Sequence, residues 1–149
     1  MNKYIVDQET ADRLLSGLIE ENSTFPERVN AMMKPTYIGC DTKEQTVTIE
    51  FASQPWEANR KGQLHGGIVC TMLDHTVGLT AAVLTGAWAP MADFSVSFLR
   101  PGTIGDTFIA TGKIMQTGKR IIFITGEIVS KESGKLIATC SATYMNNAS

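Results

Sequence analysis

Apolar positions change their spacing several times along the chain, and each change marks an element. Over residues 7–21, Ala11, Leu14, Leu15, Leu18 and Ile19 recur at three- and four-residue intervals, the stripe of an amphipathic helix. Pro26 suits the first turn of a short helix carrying Val29, Met32 and Met33, and Pro35 ends it. Residues 36–41 and 46–52 read as two strands around a polar turn. In the second, Val47, Ile49 and Phe51 face one side and Thr46, Thr48 and Glu50 the other. Residues 53–64 form a loop holding Pro55, Trp56, Asn59 and Gly62, and residues 65–85 make one long, mostly apolar helix. Four strands follow, at 91–100, 106–115, 120–130 and 135–145; their last two connections are short enough for antiparallel hairpins.

This order predicts an α+β domain: a helical lead-in over 7–34, then a core over 36–145 in which an antiparallel sheet wraps a long central helix. The 149 residues suit one domain. A helix that is apolar nearly all round needs cover on every side, and one sheet covers only one. A second copy of the chain is the economical cover, so a homodimer is expected. The apolar run 68–84 is interrupted by Asp74 and His75. A charge mid-span is costly in lipid, so this reads as a buried core helix and not a membrane span.

Composition narrows the classes further. With 43% apolar and 19% charged residues, the chain has enough material for a core. Its net charge of −2 and scattered basic residues lack the footprint of a nucleic-acid binder. Cys40, Cys70 and Cys140 are far apart in apolar surroundings, without the clustering that zinc requires. They read as reduced, buried thiols of a cytoplasmic protein, and no metal site is expected. The opening stretch, Met1 to Tyr4, lacks the apolar run of a signal peptide.

The candidate chemistry lies around the start of the long helix. Gly66 and Gly67 open it, where the first amides have no internal partners and the helix dipole places partial positive charge. A free amide there can polarise a substrate carbonyl. Asp74 is the anomaly: a mid-helix carboxylate with Cys70, Met72, Leu73 and Val77 around it. Either hydroxyls such as Thr71 or Thr76 satisfy it, or it is a nucleophile or general base perturbed by its apolar site. Gly66 and Asp74 lie eight residues apart, roughly 12 Å along a helix. They cannot act on one carbonyl within one chain, but two antiparallel copies about a twofold axis would bring each to the other's partner. Cys70, Thr71, Val77 and Gly78 share the Asp74 face, with Gly78 leaving open space.

The spacing His65-Gly66-Gly67, then Asp74, then Gly78 resembles the hotdog-fold thioesterases of the phenylacetate-degradation, PaaI-like type, which include small acyl-CoA thioesterases. Residues 36–145 fit their element order, and the leading helix fits members with an added N-terminal helix. The resemblance implies hydrolysis of acyl- or aroyl-CoA, with coenzyme A as part of the substrate and no other cofactor. It implies Asp74 as nucleophile or general base and Gly66 as carbonyl donor. His65 would support the helix start, and Asn59 would orient the carbonyl or water. A Ser or Thr often lies near the water in this family; Gly78 and Met91 occupy those positions here, leaving Thr71 or Ser95 as substitutes. The hairpin Gly118, Lys119, Arg120 and Ile121 would line the pantetheine tunnel and meet phosphate, with Arg100 a second phosphate candidate. Asp93 and Phe98 lie beside the tunnel, and alternation allows at most one of them to face the helix. Gly67 and Thr71 join the binding set, and a tetramer built as a dimer of dimers is the family expectation.

Other residues read as structural. His75 points about 100° from Asp74 and suits packing. Trp56 and Trp88 suit packing or pocket walls, Trp56 and Met72 being candidates for an acyl pocket that is open to aromatic and medium-chain groups alike. Tyr144 and Met145 finish the last strand. A Ser-His-Asp hydrolase is disfavoured by the absence of a GxSxG motif. Two alternatives stay open: a hotdog dehydratase or hydratase, for which His65 is the sole candidate partner of the acid, and a non-catalytic acyl-CoA-binding module. The latter gains little from a buried carboxylate.

Overall fold

The computed structural model describes residues 6–86 and 88–146. The Met1 to Tyr4 stretch read above for targeting signals lies outside them. Helix α1 (Gln8–Glu21) begins where Asp7 Oδ1 accepts the Thr10 amide at 2.9 Å. Ala11 and Leu15 of its stripe are buried, but Leu14 is exposed, a correction to the five-residue face expected from spacing. The Tyr37 hydroxyl donates to Asp12 at 2.5 Å and Gln8 Nε2 to the Cys40 carbonyl at 2.8 Å, fastening α1 to the first strand. Helix α2 is a single turn (Val29–Met32), starting three residues after Pro26. Val29 and Met32 are exposed, and only Met33 enters the core.

Six strands form one antiparallel sheet: β1 (Pro35–Asp41), β2 (Thr46–Ala52), β3 (Met91–Phe98), β4 (Thr107–Thr117), β5 (Ile121–Ser130) and β6 (Leu136–Met145), in the order β1-β2-β4-β5-β6-β3. Pro35 is the first residue of β1, paired with Phe51, so it opens a strand as well as closing the helical lead-in. Helix α3 (Gly66–Thr85) lies across the sheet and ends at Gly86, whose φ of +73° is the left-handed cap glycine adopts cheaply.

The close approach of α3 has a visible cause. Gly112, Gly126 and Cys140 are cross-strand neighbours on β4, β5 and β6. A Cβ on Gly126 would stand 2.9 Å from Val77 Cγ1, and one on Gly112 would run into Thr80. Glycines at the contact thus let the helix settle onto the strands and bury Leu73 and Val77 completely. The helix is long and apolar enough to cross a membrane by length and composition, but twelve of its residues are buried inside the domain.

Candidate active site

The helix start is held by its own histidine. His65 is the N-cap, and its Nδ1 accepts the Gly67 amide at 2.9 Å. That amide is therefore spent, which removes Gly67 as a donor to substrate; its missing Cβ makes room for the His65 ring, 3.1 Å away. The Gly66 amide has no partner among the described residues and is the free donor. Asn59 Oδ1 accepts the Lys61 and Gln63 amides at 2.9 and 3.0 Å, closing the loop that leads into the helix. Phe98 of β3 packs over Gly66, its ring 3.5 Å from where a Cβ would sit.

Asp74 lies further along α3 and is exposed in the protomer, not buried as its apolar neighbours suggested. Leu73 and Val77 take the sheet-facing side, so Val77 does not share the Asp74 face as expected. Gly67, Thr71, Asp74 and Gly78 form the least covered stripe of the helix. The hydroxyls that might have satisfied the carboxylate are engaged elsewhere: Thr71 Oγ1 donates to the Gly67 carbonyl at 2.9 Å and Thr76 Oγ1 to the Met72 carbonyl at 2.8 Å. Thr71 therefore has no proton left to donate to a water. Asp74 is left without a hydrogen-bond partner among the described residues, and desolvation by the surrounding protein raises its pKa above the usual aspartate value.

The carboxylate opens into a cleft of about 310 Å³ lined by Gly78, Leu79, Ala82, Trp88, Met91 and Tyr144 among others. Gly78 and Met91, at the two positions where the resemblance implied a hydroxyl, both line this cleft with Asp74. Trp88 belongs to this cleft, whereas Trp56 lines a separate one of about 510 Å³ between the end of α1 and α2, and Met72 is fully buried in the core. His75 turns inward as expected. Its Nδ1 donates to Asn30 Oδ1 at 3.0 Å, its ring packs edge-on to Phe51, and burial lowers its pKa to about 4.

Alternation along β3 sorts the next pair. Phe98 is on the helix side, while Asp93 is on the outward side and is not brought to the Asp74 cleft. Ser95 also faces outward, between the part-buried Phe94 and Val96, which removes it as a water ligand within the protomer. Gly118, Lys119, Arg120 and Ile121 form the β4–β5 turn, closed by the Gly118 amide to the Ile121 carbonyl at 2.8 Å. Ile121 pairs with Met145, next to the row Ile122–Tyr144–Met91 that flanks the cleft. Arg100 does not join them. Its Nη1 donates to the Leu136 carbonyl at 2.9 Å, at the opposite end of β6, roughly 30 Å from the turn along a strand. One phosphate cannot be held by both within a protomer. Tyr144 and Asn30 are polar cleft residues that sequence reasoning missed; the signal for Tyr144 was its place as the polar-tipped side chain after Ala138, Cys140 and Ala142 on the inward parity of β6.

The site thus combines a sheet wrapped on one helix, a free amide at the helix start, and a carboxylate two turns on that has no hydrogen-bond partner among the described residues. The model of the thioesterase superfamily matches residues 61–137, just over half of the chain. Acyl-coenzyme A thioesterase 13 of Mus musculus is 31% identical over 91 residues, 60% of this chain and 64% of that protein, so the match spans just under two thirds of that relative. Zebra fish thioesterase superfamily member 2 superposes with a TM-score of 0.81 at 22% identity, covering 91% of this chain and 97% of that one. The Escherichia coli PaaI protein of the phenylacetic acid degradation operon superposes with a TM-score of 0.74 at 23% identity, covering 90% and 96%. The chain belongs to the thioesterase superfamily, and its fold is the hotdog fold of the PaaI-like members.

Proposed function

We propose that the protein hydrolyses acyl-CoA thioesters to free acid and coenzyme A in a site completed by a second copy of the chain. The observation that carries this is the unpartnered Asp74 carboxylate, open to a cleft and raised in pKa by its surroundings. A raised pKa makes the carboxylate a stronger base near neutral pH, so Asp74 is assigned the removal of a proton from the attacking water. The free Gly66 amide is assigned the developing oxyanion. His65 keeps that amide at the helix start, and the Asn59 loop holds the approach to it.

The pairing follows from the edge strand. β3 is bonded to β6 on one side only. It runs alongside α3 with Met91 at the Asp74 end and Phe98 at the Gly66 end. Antiparallel pairing of two β3 edges about a twofold axis would exchange the ends, setting Gly66 of one copy against Asp74 of the other. The Lys119–Arg120 turn beside the cleft is assigned to the phosphates of coenzyme A.

Release of free thiol from a panel of acyl-CoAs, aromatic and aliphatic, tests the proposal. Wild type should turn over at least one, and Asp74→Asn should be slower by about 100-fold, a loss of about 2.7 kcal/mol of transition-state stabilisation. A folded, dimeric wild type inactive on every substrate would overturn hydrolysis in favour of binding without chemistry.

A further inference from the structure

The hydroxyl of Tyr144 makes no hydrogen bond among the described residues. The side chain is 5% exposed, so Tyr144 is a core residue by accessibility, and the hydroxyl itself is buried. Leaving a buried hydroxyl unpaired costs on the order of 1–3 kcal/mol, and a Phe of the same shape would avoid that cost. A catalytic role is one reason for a native structure to keep such a group.

The surroundings indicate where. Tyr144 sits between Met91 and Ile122 on neighbouring strands, and its hydroxyl lies 3.5 Å from the position a Gly78 Cβ would take. Gly78 is one helical turn beyond Asp74, on the same uncovered stripe. The phenol therefore reaches across from the sheet into the gap that glycine leaves beside the carboxylate, in the cleft both groups line. Burial first, and the neighbouring Asp74 charge with it, hold the phenol's pKa above its ordinary value. It stays protonated at neutral pH and keeps its donor. Gly78 and Met91 carry no hydroxyl, and Thr71 has spent its own.

The geometry points to Tyr144 as a catalytic residue that holds the attacking water: its hydroxyl donates to the water oxygen while the water donates to Asp74. This rests on the hydrolysis proposed above. In the step, the water's remaining lone pair forms the C–O bond at the thioester carbonyl, and its proton passes to Asp74. The carbonyl electrons move onto oxygen, which the other copy's Gly66 amide holds. Collapse re-forms the carbonyl and breaks the C–S bond. The pair departs on sulfur, which takes the proton back from Asp74. Tyr144 gains and loses no proton.

Tyr144→Phe separates this role from packing. The variant should be at least as resistant to heat as wild type, because it removes only an unpaired buried hydroxyl. Its kcat for acyl-CoA hydrolysis should fall about 10–100-fold with KM little changed, the size expected for a lost hydrogen bond to the reacting water. Hydroxylamine, a stronger nucleophile than water, should recover the loss in part, so the ratio of hydroxamate to free acid should rise above that of wild type. Unchanged hydrolysis by a stable Tyr144→Phe, beside an active wild type slowed by Asp74→Asn, would overturn the Tyr144 assignment and leave the thioesterase standing. A fall in stability with an unchanged product ratio would also overturn it, as the mark of a structural hydroxyl. A wild type without any turnover would overturn both.

Discussion

His75 and Asp74 are adjacent in sequence and opposite in environment, which shows how one residue of helix rotation decides chemistry. Asp74 faces the cleft; His75 faces the core, 8% exposed, with one ring nitrogen bonded to Asn30 and the other unpartnered. Because burial depresses the folded pKa of His75 from 6.5 to about 4, the unfolded chain takes up a proton there that the folded chain refuses. The associated stability is fully present above pH 6.5 and is lost as pH falls from 6.5 towards 4, by up to about 3 kcal/mol. Urea unfolding of wild type and His75→Leu at pH 7 and pH 4 checks this, with the carboxylates cancelling in the difference. Wild type should lose more stability on acidification than the variant, and parallel losses would contradict the assignment. At this scale the sequence carried Asp74 as an anomaly, and the family resemblance implied that His65 supports the helix start. It did not carry Tyr144, since a tyrosine closing a strand reads the same whether its hydroxyl is paired or orphaned.

At the scale of elements, α3 depends on what the sheet lacks. The Gly112–Gly126–Cys140 row is the seat of the helix, and added volume there has nowhere to go. A Cβ on Gly126 would meet Cys140 Sγ at 2.7 Å and Val77 Cγ1 at 2.9 Å. Gly126→Ala should therefore cost about 1–3 kcal/mol and lower Tm by several degrees, whereas Gly39→Ala, where a Cβ meets nothing within 4 Å, should leave Tm nearly unchanged. Calorimetry on the two variants is sufficient, and equal melting would refute the seat. The strands themselves were legible, β2 to the residue, because alternation is a local signal. The one-turn α2 and the exposed Leu14 were less so, because which flank of a short helix finds cover depends on neighbours distant in sequence.

For the whole molecule, the question is whether one chain holds a complete site. Gly66 and Asp74 lie eight residues apart on one rigid helix, so no rotamer joins them. Gly66→Pro removes the amide proton at a first-turn position where proline is tolerated, and Asp74→Asn removes the proposed base. Each variant alone should keep no more than about one hundredth of wild-type activity. Mixed in equal amounts under subunit exchange, they should regain about a quarter of wild-type activity: half the dimers are mixed, and each carries one intact site of two. No recovery, with exchange demonstrated by mass spectrometry, would place the site inside a single chain.

The sequence by itself determined the element order, the antiparallel sheet on a central helix and the odd carboxylate. These depend on periodicity and on residue types that are costly out of place, both local properties. Tertiary structure alone decided that Asp74 faces outward, that Gly67 and Thr71 spend their donors on the helix start, that Arg100 stands at the far end of β6, and that Tyr144 aims an unpaired hydroxyl into the gap at Gly78. Each of these depends on which groups from distant segments meet and which are left without a partner. That is settled only when strands β3 and β6 and the helix are packed against one another.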